Sequence, residues 1–350
     1  MFGASLFLVP VAAVFGIILS YILKLYFAVE PAFLATVGFI CYVTVLLFAS
    51  HRPQLSRLDV QQKRGLRLSI VYLILASLSL TIFFKTVIDT PLSISIFFAL
   101  ALCATSMPKL RLPARVHEIL TFESKYTSLA ALVAPVLVIP FFGSIPVFSP
   151  VANNYIINIV LGIGVGIFIG VIFSKVLIRH EDSIVPLLVL LIAGFIAYAL
   201  SERLGSFGPL AVAALGLFLA HAPRRVERKH ENELYHMLIV FSVLAGGMLL
   251  SLPLTQELLI LAALISGMFY ASRAIATFAT LQMLDLREKL MITVFSPVGA
   301  ESIVLLVYFS TILLPAGITL SPLILLSQAA ILVVFTTHII AVLGAVLKVK

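Results

Sequence analysis

Twelve apolar segments follow one another along this chain, each close to the length that a helix needs to cross a bilayer. They run Ser5 to Leu23, Pro31 to Ala49, Leu66 to Phe84, Pro91 to Met107, Ile119 to Phe142, Asn153 to Leu177, Ile184 to Leu200, Gly208 to His221, Tyr235 to Leu252, Glu257 to Thr280, Leu290 to Leu314 and Leu320 to Leu347. With 62% hydrophobic and 11% charged residues, such a chain has too little polar surface to close a water-soluble globule. The longest polar stretches, "SHRPQLSRLDVQQKRGLR" and "HAPRRVERKHENEL", are the size of connectors. The expected fold is therefore all-α and integral to a membrane, with twelve transmembrane helices in one domain spanning residues 1–350. The first segment lacks a basic n-region and a small-residue cleavage site, so it reads as a retained helix.

Charge placement tests that count. Around alternate connectors, one side collects nineteen Lys and Arg, among them Arg52, Lys63, Arg64, Arg67, Arg111, Lys125, Arg225, Lys289 and Lys350, while the other holds only Lys24, Lys85 and Arg203. That asymmetry obeys the positive-inside rule, and one miscounted span would scramble it. It predicts a multi-pass protein of the cell membrane with both termini cytoplasmic. Topology explains the net charge of +8, which gives no ground for nucleic acid as a partner. Cys41 and Cys103 both lie in apolar runs and read as small buried residues, not as a disulfide or a metal site.

Few ionisable groups remain at membrane depth. Glu123 lies one turn into the fifth span, Arg273 in the tenth, Glu301 in the eleventh and His338 alone in the twelfth. Charge there is costly and seeks a partner, so Glu123 and Arg273 are expected to pair. Two roles fit the pair: a salt bridge that fixes helix packing, or a carboxylate that loads protons or cations. Backbone breakers add a second signal. The fourth span ends in "CATSMPKL" and the eleventh contains "FSPVGAES", so interruptions are expected near Thr105 to Pro108 and Ser296 to Gly299, at Pro108, Pro297 and Gly299. Paired interruptions of this kind point to inverted repeats whose broken helices cross near the midplane. Spans three to five and ten to twelve would form the repeats, giving core helices over approximately 66–142 and 257–347, with the remaining helices as scaffold and dimerisation part.

These pieces carry a resemblance. "ATS" closing one span, "RLPARVHEILTFES" opening the next, "SERLGSFGPLAVAALGLFLAH" in the eighth, "ASRAIATF" in the tenth and "REKLMITVFSPVGAESIVLL" in the eleventh resemble, in that order, the monovalent cation:proton antiporters of the NhaP and NapA type. The early stretch "VEPAFLATVGFICYVTVLLFASHRPQLSRL" is similar too. The resemblance implies the sodium/proton antiporter fold in a thirteen-span plan that this chain enters one helix late. It also implies an ion pair between Glu123, followed by Ser124, and Arg273. In NhaP-like proteins the fifth-span motif is Glu-Ser-x-x-Asn-Asp, whose aspartate takes the cation and the proton; here Thr127 and Ser128 stand in place of Asn-Asp. The family's Thr-Asp-Pro or Thr-Ser is met by Thr105 and Ser106, and its Pro-Arg-Gly by Pro297, Val298 and Gly299.

On this resemblance the scaffold motifs are matched and the site carboxylate is not. Exchange needs a group that proton and cation occupy in competition, which a carboxylate can be and a hydroxyl cannot near neutral pH. Glu301, just past the eleventh-span break, is the leading substitute, with Glu123 next; a purely structural Glu301 bonded to a half-helix end stays open. The functional reading is exchange of a monovalent cation, sodium foremost, for protons. The candidate ion-binding residues are Thr105, Ser106, Ser124, Thr127, Ser128 and Glu301, and no cofactor or resident metal is expected. The alternatives are a transport-inactive relative serving as a membrane partner subunit, and a same-fold transporter of another solute. Membrane lipid, the cation and protons are the partners expected, with a homodimer as the assembly left open. No nucleophile elbow, Walker sequence or HExxH indicates an enzyme, and "GIGVGIFIG" in the sixth span reads as close helix packing.

Overall fold

The computed structural model describes residues 11–12, 14–16, 31–51, 59–107, 112–141, 154–177, 185–220, 228–249, 255–313 and 321–348. Of the first expected span, residues 11–12 and 14–16 are helical, and the rest lies outside the described residues. The named helices are α1 (Pro31–His51), α2 (Val60–Val87), α3 (Leu92–Ala101), α4 (Ala114–Val138), α5 (Tyr155–Leu177), α6 (Val185–Arg203), α7 (Gly208–Ala220), α8 (Arg228–Leu249), α9 (Gln256–Thr280), α10 (Leu286–Val294), α11 (Glu301–Leu313) and α12 (Ser321–Lys348). Expected spans two to ten correspond to α1 through α9, the eleventh to α10 and α11 together, and the twelfth to α12.

Six described helices are long and apolar enough to cross a membrane, which suits a medium where each backbone amide must find its partner inside its own segment. Several helices begin well before the apolar run that marked them. α2 starts at Val60 instead of Leu66 because Asp59 and Gln62 form a capping box over its basic first turns. Asp285 and Glu288 do the same for α10, which starts at Leu286. Apolar length measures the hydrocarbon crossed, whereas caps set where the helix begins.

Packing brings α2 against α3, α4 and α9, and α9 against α12; elsewhere α5 and α6 pack on α7, and α7 on α1. α1 and α8 both meet α11. The glycines of "GIGVGIFIG" serve the α5–α7 contact: a Cβ on Gly162, Gly166 or Gly170 would run into α7 or the turn before it, whereas Gly164 faces open space. Small residues at four-residue spacing let these backbones approach, as in other membrane helix pairs.

The two interruptions meet. α3 stops at Ala101, earlier than the breakers suggested, and Pro108 lies outside the described residues. α10 stops at Val294 and α11 begins at Glu301. Between the half-helices, Thr105 and Val298 form an isolated antiparallel bridge: Ser106 N–H donates to the Pro297 carbonyl at 2.9 Å and Gly299 N–H to the Ala104 carbonyl at 2.8 Å. Pairing with 297–299 requires an extended backbone at 104–106, so the helix must end upstream of it.

Candidate functional site

Two side chains on neighbouring elements complete that bridge. Thr127, on α4, lies one turn below Glu123, and its hydroxyl accepts from Thr105 N–H at 3.2 Å and stands 2.7 Å from the Thr105 hydroxyl. Ser128 donates to the Thr105 carbonyl at 3.4 Å. From α12, the Thr337 hydroxyl accepts from Val298 N–H at 3.2 Å. Four amides of the interrupted segments, those of Thr105, Ser106, Val298 and Gly299, thereby all find acceptors at membrane depth. Thr127 and Ser128 hold the crossing together with their hydroxyls.

Glu301 is the first residue of α11 and is buried. A carboxylate there is favoured by the positive end of the half-helix. Its Oε1 accepts a hydrogen bond from the Tyr235 hydroxyl on α8. Its Oε2 is buried with no hydrogen-bond partner among the described residues. That oxygen packs on Gly299: a Cβ there would sit 2.6 Å from Oε2 and 2.8 Å from the Ala104 Cβ, so the break needs a glycine for space. Ser302, the next residue, donates to the Ala101 carbonyl at 2.6 Å and ties the start of α11 to the end of α3.

One turn from Thr127, Glu123 and Arg273 are both fully buried and form a two-pronged ion pair, Nη1 to Oε1 and Nη2 to Oε2, the second at 2.6 Å. Nη2 also reaches the Ile292 carbonyl at 3.5 Å, and the guanidinium lies 5.1 Å from the Tyr72 ring centroid. One side chain thus joins α9 to α4, α10 and α2.

The expected residues do not all converge. Thr105, Thr127, Ser128, Pro297, Gly299 and Glu301 gather around the crossing. Ser106 faces α12, its hydroxyl 3.3 Å from His338 Nε2, while His338 Nδ1 is 2.8 Å from the Val334 carbonyl. Ser124 turns back on its own helix, donating to the Thr121 carbonyl at 3.1 Å. His338, the lone ionisable residue of the twelfth expected span, is thus within hydrogen-bonding reach on both ring nitrogens, because the extended 104–107 segment carries Ser106 to it. Two contributors escaped sequence reasoning. Tyr235, at the start of an expected span, carried the signal of an interfacial aromatic, and Thr337 carried none. Among the described residues no group of three His, Cys, Asp or Glu side chains is placed to hold a metal ion.

The arrangement places one buried carboxylate oxygen, without a donor among the described residues, at the junction of the two interrupted segments. Such oxygens are hard ligands suited to small monovalent or divalent cations or to a proton. No family model and no curated protein matches the sequence. Solved structures do match, among them two of the sodium proton antiporter MjNhaP1 from Methanocaldococcus jannaschii. The structure at pH 8 gives a TM-score of 0.75 at 20% identity, covering 97% of this chain and 92% of that one. The electron-microscopy map gives 0.69 at 20% identity, covering 97% and 89%. Similarity at this level is similarity of fold, and the chain has the fold of a NhaP-type antiporter.

Proposed function

We propose that this protein is a secondary transporter of the cell membrane that exchanges a monovalent cation, sodium foremost, for protons, with Glu301 as the group the two occupy in turn. The observation that carries the reading is the buried Glu301 Oε2, which has no donor among the described residues and sits at the junction of two interrupted helices. A buried anionic oxygen left without a partner is expensive, and a proton or a cation relieves that cost. Likeness of fold to a sodium proton antiporter supports the class of transport. The core helices over approximately 66–142 and 257–347 would move against the rest, carrying Glu301 between the two faces, with the termini cytoplasmic and a homodimer as the assembly. Tyr235 lies outside that core, so its bond to Glu301 would belong to one end of the cycle.

A second reading has its own support. Thr127 and Ser128 are both occupied in holding Thr105, so the family's usual carboxylate position is closed, as a non-transporting partner subunit would permit. Purified protein in liposomes decides between them. Cation-driven proton flux in wild type that disappears in Glu301→Gln supports exchange at Glu301, because the amide keeps the Tyr235 acceptor but cannot release a proton. Flux that survives the substitution moves the role to another group. No flux with sodium, potassium or lithium across a broad pH range, in folded protein, supports the partner reading.

A further inference from the structure

The first turns of α2 and the segment leaving α9 enclose a second site of different chemistry. Lys63, Arg64 and Arg67 face Ala279 through Leu284 across a cavity of about 380 Å³, room for about a dozen water-sized volumes. Its described lining contains three cations and no carboxylate. Asp59, the nearest acid in sequence, accepts from the α2 backbone as its cap, and Asp285 does so for α10. Just past the α9 end, where carbonyls would repel an anion, the Gln282 carbonyl accepts from Lys289 Nζ at 3.4 Å. Directly below Lys63 and Arg67, at four-residue spacing, Ile70, Ile74, Leu78 and Ile82 form a stripe of α2 that is more than half exposed. Charge above and a bare aliphatic track below match the two parts of one molecule.

We infer that this cavity binds the phosphodiester headgroup of an anionic phospholipid, whose acyl chain lies along the exposed stripe of α2. Basic cavities at the ends of membrane helices suit such headgroups, and the chain shields side chains that must otherwise meet bulk lipid. Occupancy would bridge α2 to the end of α9, the helices that carry Tyr72 and Arg273, and so brace the buried ion pair from outside. The inference rests on the membrane setting and not on cation exchange.

The chain contains no tryptophan, so Met283→Trp, at a highly exposed position in the cavity wall, supplies a single fluorophore. In bilayers containing phosphatidylglycerol or phosphatidylcholine with brominated chains, the anionic lipid should quench selectively, since each basic residue favours it by about fivefold. Combining Lys63→Gln, Arg64→Gln and Arg67→Gln should abolish the selectivity, and the charge-keeping Lys63→Arg, Arg64→Lys and Arg67→Lys set should retain it with the same fold. Millimolar glycerol phosphate should leave the quenching unchanged, which separates a lipid from a free phosphate ester. Equal quenching by the two lipids, selectivity that survives the glutamine set, or displacement by glycerol phosphate would each overturn the assignment.

Discussion

Arg273 shows at the scale of one residue what the membrane interior demands of a charge. Both carboxylate oxygens of Glu123 and the Ile292 carbonyl surround its terminal nitrogens. Glu123→Gln would leave a buried guanidinium without its counter-ion, and a loss of about 3–5 kcal/mol is expected, read as a lowered melting temperature in detergent. Replacing both partners with apolar residues, Glu123→Leu with Arg273→Met, should recover much of that loss. A double variant as unstable as the single one would contradict this. Tyr235 admits a milder test: Tyr235→Phe removes the donor to Glu301 Oε1 while keeping the ring, and should shift the pH dependence of transport with little change in melting temperature. An unchanged pH profile would mean that the bond has no part in the cycle. The Glu123 and Arg273 pair was legible because charges in an apolar run are few and must find each other. The Tyr235 partner was not, because a tyrosine at a span end reads as an interface anchor whichever way it faces.

At the scale of elements, the crossing depends on four amides finding acceptors outside the helical backbone pattern, and on a glycine where two segments and a carboxylate crowd together. Gly299→Ala should press its methyl into Glu301 Oε2 and Ala104, costing about 1–3 kcal/mol by overpacking and lowering cation affinity as the carboxylate shifts. Measured melting and cation-binding curves equal to wild type would show that the space is not needed. The eleventh-span break was readable because Pro297 and Gly299 announce it. The fourth-span break was placed too far along, since Leu102, Cys103 and Ala104 are residues a helix tolerates well and only pairing with a distant segment ends it there. Sequence marks a break made by its own residues better than one imposed from across the fold.

For the whole molecule, the run of apolar segments and the resemblance together anticipated the fold that the likeness to MjNhaP1 supports. What a single sequence could not convey is what Thr127 and Ser128 do in the fold. Thr127 and Ser128 looked like losses, yet they hold the crossing, while Glu301 carries an oxygen with no partner among the described residues. The central claim is that cation and proton compete for that oxygen. Its most direct test is proton release: sodium added to weakly buffered, purified protein should acidify the solution in wild type and leave it unchanged in Glu301→Gln. Release of equal size in the two proteins would contradict the account.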